Sequence, residues 1–271
     1  MPYCRRCGAE LPKDSRFCPA CGTPVVAPEM KPMETRKTFK VTGKPKVVVT
    51  NIAPRSVEVR SRPEAEVTVD LDLRISEDLD WNILQDDNVV TVTCRARVSP
   101  FLGWPKYIFS GGPRANIFVS VPAETDLNLE NRAGRVTATG VKGTIVAESS
   151  AGTVGMQDRK GTVKARTKAG SVELENVNGT ISARSSAGSI RFTGALSKGE
   201  NWFRTNVGRI ELTLRGEPDL IVEASTTIGR VTCSPELTDL RYERGQYVGR
   251  IGAGTGRLIA ETKTGSITIR R

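Results

Sequence analysis

Between Ala133 and Phe192, polar and apolar residues recur on a fixed beat. Glycine stands at 134, 143, 152, 161, 170, 179 and 188, always nine residues apart. Arg, Thr or Ser follows each, and then Val or Ile: Val136, Ile145, Val154, Val163, Val172, Ile181, Ile190. Two residues further come Ala138, Ala147, Met156, Ala165, Leu174, Ala183 and Phe192. Apolar residues two apart mark a strand that buries one face, because strand side chains alternate between faces. Each nine-residue unit therefore predicts a short strand and a turn, with glycine at the tight bend.

A second period of eighteen lies over the first. Ala-Gly precedes Arg135, Thr153, Ser171 and Ser189, and the intervening units place Lys142, Lys160 and Asn178 before their glycines. The inward residue alternates as well: Ala138, Met156, Leu174, Phe192 in one set and Ala147, Ala165, Ala183 in the other. Two units per coil explain both facts. One wall carries larger side chains, the facing wall carries alanine, and coils stack at about 4.8 Å per step. The expected fold is all-β, a parallel β-solenoid or β-helix with two short strands per coil of roughly 18–20 residues.

Three other folds share parts of this pattern. A left-handed hexapeptide helix repeats aliphatics every six residues, which this chain does not. A calcium β-roll needs carboxylates, yet the outward positions hold Glu148, Lys164, Arg166 and Arg184. An antiparallel meander fits the periodicity, but turns of the Asn-Gly kind are rare here. The beat loosens downstream, in NVGRIEL, TIGRVTC, YVGRIGA and KTGSITI. Upstream, SVEVRS, AEVTVDLDL, NVVTVTC and NIFVSVPAETDLNLE read as alternating strands with more varied connections. The solenoid is thus expected over 43–271, with irregular capping strands over 43–130 and regular coils over 131–271.

The amino terminus breaks the pattern. In YCRRCGAELPKDSRFCPACG, Cys4, Cys7, Cys18 and Cys21 form two Cys-x-x-Cys pairs, each followed by glycine. Two residues between cysteines let both thiolates of one turn reach one ion, and two such turns complete a closed tetrahedral site. So short a segment cannot bury enough apolar surface, so the metal supplies its folding energy. Zinc is the expected ion. Iron is the alternative, although rubredoxin knuckles are separated by a longer spacer. Two disulfides fit poorly without an export signal, and a thioredoxin-type pair would need a βαβ setting. The ribbon is expected over 1–25, and a Pro/Lys-rich linker over 26–42.

Composition narrows the chemistry. The 271 residues contain no histidine, which removes Ser-His and Cys-His catalysis and any imidazole ligand. The formal charge is +10, and ten of the Lys/Arg but only four of the Asp/Glu lie in residues 1–46. A nucleic-acid partner would use Arg5, Arg6, Arg16, Lys37, Lys40, Lys44 and Lys46 against phosphates. No apolar stretch suits a membrane helix or a signal peptide, so a cytoplasmic location is expected. Gly249–Leu258 departs from a phosphate-loop pattern. The aromatic run Phe101–Gly112 reads as a cap on the stack, and Cys94 and Cys233 read as buried thiols.

Residues 3–24 resemble the short bacterial zinc-ribbon family, through the paired Cys-x-x-Cys-Gly turns. From about 38 to 271 the chain resembles the bacterial "putative adhesin" β-strand-repeat family, also called the toastrack domain, through NIFVSVPAETDLNLENRAGRVTATGVKGTI. That resemblance implies a β-helix-like solenoid. Some members of that family accompany cell-envelope stress proteins. With no histidine, an enzyme is the least expected class and a non-enzymatic binding or scaffold protein the first; a protein partner is preferred to nucleic acid because the ribbon offers only Tyr3 and Phe17 for stacking.

Overall fold

The computed structural model describes residues 7–10, 17–22, 33–53, 55–74, 78–97, 113–234, 237–243 and 246–271. The chain divides into two compact units, Met1–Pro32 and Met33–Arg271. The larger unit is built from strands. Its first part holds β1 (Met33–Lys40), β2 (Lys46–Asn51), β3 (Val57–Arg62), β4 (Glu66–Arg74), β5 (Leu79–Asp86), β6 (Val89–Ala96) and β7 (Arg114–Pro122). The regular repeat gives β8 (Asp126–Ala133), β9 (Val136–Thr139), β10 (Gly143–Ala151), β11 (Val154–Ala169), β12 (Val172–Ala187), β13 (Ile190–Gly194), β14 (Glu200–Val207) and β15 (Ile210–Leu214). The remainder gives β16 (Leu220–Ile228), β17 (Val231–Cys233), β18 (Thr238–Glu243), β19 (Gln246–Ile251), β20 (Gly256–Thr264) and β21 (Ile267–Arg270).

The predicted register of eighteen is the observed one. Ile145 lies beside Val163 and Val163 beside Ile181, all parallel, while Val154 lies between Val136 and Val172. The strands form two walls. Wall A runs β6, β2, β8, β10, the second half of β11, the second half of β12, β14, β20, β16. Wall B runs β7, β3, β9, the first halves of β11 and β12, β13, β15, β21, β17. β11 and β12 are long because each turns the corner from wall B to wall A without losing its ladder. A parallel solenoid is therefore correct, and the meander survives only at the ends. There, antiparallel strands cover the stack: β5 on β6, β4 and β1 on β7, β19 and β18 on β16.

Two features depart from the expected layout. Residues 33–40, assigned to the linker, form β1 against β4, with Phe39 beside Val67. Alternation in METRKTFK suits an edge strand, although its lysines give it the composition of a linker. Chain order and stack order also differ. The coil β2–β3 sits between β6–β7 and β8–β9, and the C-terminal coil β20–β21 sits between β14–β15 and β16–β17. The C-terminal coil is thus held by neighbours on either side, as is the early coil β2–β3, whereas β1 pairs only with β4 among the described residues.

The core is one apolar column per inward position. Ala147, Ala165 and Ala183 on wall A and Met156, Leu174 and Phe192 on wall B are all buried. The alternation fails at Phe203, which follows Ala183 on wall A and meets the Phe192 ring at 5.2 Å. Beside these columns runs a buried polar one that periodicity alone did not reveal. Thr167, Ser185 and Thr205 donate to the carbonyls of Gly152, Gly170 and Gly188 at 3.0, 2.9 and 2.9 Å. Those carbonyls belong to the sharp corner between the walls, and an unpaired one would be costly.

The corner also explains the glycines. Gly170 has φ +139, and a Cβ there would lie 2.1 Å from the carbonyl oxygen of Gly152 in the coil below. Gly216 also has positive φ, at +77, but open space around it.

Two stability tests follow from this packing. Ala165→Leu overpacks the core and should cost about 1–3 kcal/mol in a urea titration, whereas Lys164→Leu, one position away and exposed, should stay within about 0.5 kcal/mol. A larger loss for Lys164→Leu would overturn the register. Gly170→Ala, which adds a backbone clash to the positive φ, should destabilise more than Gly216→Ala, which adds only strain of about 1 kcal/mol.

Candidate functional site

In the amino-terminal unit, Cys7 and Cys18 bring their Sγ atoms to 3.6 Å, and the sulfurs of Cys7, Cys18 and Cys21 all lie within 4.8 Å of one another. Cys4, the fourth predicted ligand, lies outside the described residues, as do Arg5, Arg6 and Arg16. Gly8 and Gly22 follow their cysteines with φ +73 and +66, the left-handed turn the knuckle requires. The Gly22 amide donates to the Cys18 carbonyl at 2.8 Å, closing the second turn. Cys18 is buried against Ala9 and Cys21.

A metal fits this arrangement. A disulfide has its sulfurs about 2.05 Å apart, far closer than 3.6 Å. Two thiolates about 2.3 Å from one tetrahedral ion lie about 3.8 Å apart, close to what is seen. A closed sulfur cage offers no open position for substrate, so such an ion holds the fold together.

The other cysteines behave differently. Cys94 is fully buried on β6, and burial, with Asp80 adding to it, pushes its thiol up to about 11. Cys233 packs against the same core, and burial pushes it up to about 11 as well. A thiol so shifted is protonated at neutral pH and a poor nucleophile.

The glycine-rich stretch Gly249–Leu258 turns tightly at Gly252 and Gly254, but its amides are already used. The Asp219 carboxylate accepts from the Gly254 amide at 2.5 Å and from the Thr255 hydroxyl at 2.7 Å, and the Thr255 hydrogen bond leads in holding its carboxyl below the usual range. The chain's own carboxylate thus sits where a phosphate would, in line with the sequence reading. Of the cations named for nucleic acid, Lys44 pairs with Asp126 at 2.7 Å and Lys37 lies 5.9 Å from the Trp81 ring centre. Lys40 and Lys46 are exposed. Phe101–Gly112 lies outside the described residues.

Sequence reasoning missed Arg159. It occupies an inward place beside Val177, is 2% exposed, and donates to the Gly143 and Thr162 carbonyls at 2.6 and 3.3 Å. Desolvation lowers its pKa to about 10, so it stays charged at neutral pH. The available signal was its place eighteen residues from valine on either side.

Comparison with known proteins agrees with this division. Residues 3–25 match a zinc-ribbon domain, and residues 115–270, more than half of the chain, match the family described as Toastrack DUF4097. Among solved structures, a "putative cell adhesion protein" from Clostridium sporogenes ATCC 15579 is similar at 13% identity and TM-score 0.43, over 89% of this chain and 99% of that one. A "putative adhesin" from Bacteroides fragilis NCTC 9343 is similar at 11% identity and TM-score 0.39, over 88% and 97%. Among curated proteins nothing matches the chain. No helix among the described residues is long and apolar enough to cross a membrane.

The Cys94 shift has a measurable sign. Its folded pKa, about 11, exceeds the ordinary value of 9.0, so burial of the neutral thiol favours the fold below pH 9. That contribution is lost as pH rises from 9 to 11, by about 2–3 kcal/mol in total. The unfolding free energy of the native chain, measured against that of Cys94→Val, should fall by about that amount across the window. Parallel curves would rule the shift out.

Proposed function

The chain belongs to the toastrack family, and from that premise we propose that it is a non-enzymatic binding or scaffold protein whose amino-terminal ribbon is held by zinc. The observation that carries the metal reading is the cluster of Cys7, Cys18 and Cys21 with sulfurs within 4.8 Å. Cys4 completes the set by its Cys-x-x-Cys spacing. Sulfur-only ligands, a spacer too short for rubredoxin and the ribbon match favour zinc over iron. Zinc supplies the folding energy of a segment with almost no core of its own. Thiolates of this kind persist in a reducing compartment, which supports a cytoplasmic location.

The binding role rests on the solenoid. Its walls expose side chains at fixed steps along the strands and from rung to rung, a rigid surface that costs little conformational entropy to present to a partner. Protein is the partner class proposed. A place beside cell-envelope stress proteins follows from the family resemblance and is part of this proposal.

Elemental analysis of the full chain should give one zinc per molecule. Cys18→Ser or Cys21→Ser should lower that occupancy, and chelation should remove amide-exchange protection from residues 7–22 while leaving the solenoid protected. A native protein without metal, or one red with iron, would overturn the zinc reading. A partner retained equally by chains with and without residues 1–32 would assign binding to the solenoid alone.

A further inference from the structure

The outer face of wall A carries charge in blocks. Along one outward column, register neighbours read Thr50, Glu130, Glu148, Arg166, Arg184, Arg204. Arg204 pairs with Glu261. Glu130, Glu148, Arg166 and Arg184 are exposed, and none makes an ion pair or side-chain hydrogen bond with another described residue. Two carboxylates are therefore adjacent, then two guanidinium groups, on rungs about 4.8 Å apart. Like charges facing each other on neighbouring strands weaken a sheet. The cost disappears if an opposite block is laid across each.

A second copy of the same face can do this. Turn it by 180° about an axis parallel to the strands, lying between β10 and the second half of β11. Stack order reverses while position along the strand is kept. Glu148 then meets Arg166 of the second copy, Glu130 meets its Arg184, and symmetry repeats both pairs. The flanking columns also agree. Val146 meets Lys164, Asn128 meets Ser182, Ser150 meets Lys168, and Arg132 meets Ser186. One rung further out, Val48 meets Trp202. No two like charges face each other. Turned about the stack axis instead, the same face would set Glu against Glu and Arg against Arg.

We propose that a second copy of this chain docks on the outer face of wall A, with Glu130, Glu148, Arg166 and Arg184 setting its register. The proposal does not rest on the zinc reading, and either can fail alone. Six coils by about five residues give a footprint on the order of 500 Å² per copy, at the low end for specific interfaces. Association should accordingly be reversible and weakened by salt, since its code is charge.

Sedimentation of the full chain tests this. The expected result is a concentration-dependent dimer whose Kd rises about tenfold or more from low to high salt. Arg166→Glu with Arg184→Glu should be monomeric, and so should Glu130→Arg with Glu148→Arg. Mixed in equal amounts, the two monomeric variants should form a heterodimer, which a merely structural role would not produce. If a reversed variant does not fold, Arg166→Gln with Arg184→Gln should still weaken the dimer. A wild-type chain monomeric at every concentration would overturn the proposal. So would a dimer indifferent to both reversals, or variants that stay apart on mixing. If the monomer instead binds single-stranded DNA and Arg166→Glu with Arg184→Glu abolishes it, the face serves a polyanion and the proposal also fails.

Discussion

Everything in the larger unit depends on how closely one coil can lie on the next at its corner. The glycine carbonyl of one coil sits where the Cβ of the following corner residue would be, 2.0 Å from it at Gly152 and Gly188. Only glycine permits both that approach and the positive φ that makes the turn. Because the corner is tight, the strand before it and the strand after it face each other across a thin core. Because the corner repeats, each strand finds its parallel partner eighteen residues away. The ladder, the two walls and the flat outer faces all follow from this one contact.

Tight corners expose a second need, which the buried hydroxyls meet. The carbonyls of Gly152, Gly170, Gly188 and Gly208 each accept from a Ser or Thr hydroxyl of the next coil in the stack: Thr167, Ser185, Thr205 and Thr262. Where the repeat stretches to twenty, Asn201 adds a second anchor, accepting from the Ile181 amide and donating to the carbonyls of Ser197, Gly199 and Arg257. One buried amide thereby anchors an insertion that would otherwise break the ladder. Not every buried polar atom is matched: the Ser149 hydroxyl, in the same column as Thr167, and Nε and Nη1 of Arg159 are buried without partners among the described residues.

The two units solve opposite problems of size. The ribbon has too little apolar surface to fold by burial and depends on its sulfur cluster. The solenoid has an ample core but open ends, where unpaired strand edges invite unwanted pairing. Antiparallel strands cover β6 and β7 at one end and β16 at the other, and the coils β2–β3 and β20–β21 are each slotted one coil inside an end. What remains exposed is a wall of ordered side chains, suited to binding another surface.

The sequence by itself determined everything that repeats locally. Glycine at every ninth residue, Val or Ile two further on and the alanine column named the strands, their inward faces and the register of eighteen. Cysteine spacing marked the ribbon in the same way, because a metal reads distances along a short chain. Tertiary structure decided what periodicity cannot encode. A repeat says how far apart two neighbours are, but not which coil is slotted between which, so the displaced end coils were invisible. METRKTFK becomes a strand only because β4 offers it an edge. Arg159 is buried against the Gly143 and Thr162 carbonyls, and Phe203 replaces alanine where it meets the Phe192 ring. These outcomes depend on contacts between residues far apart in sequence, and such contacts exist only once the coils have stacked.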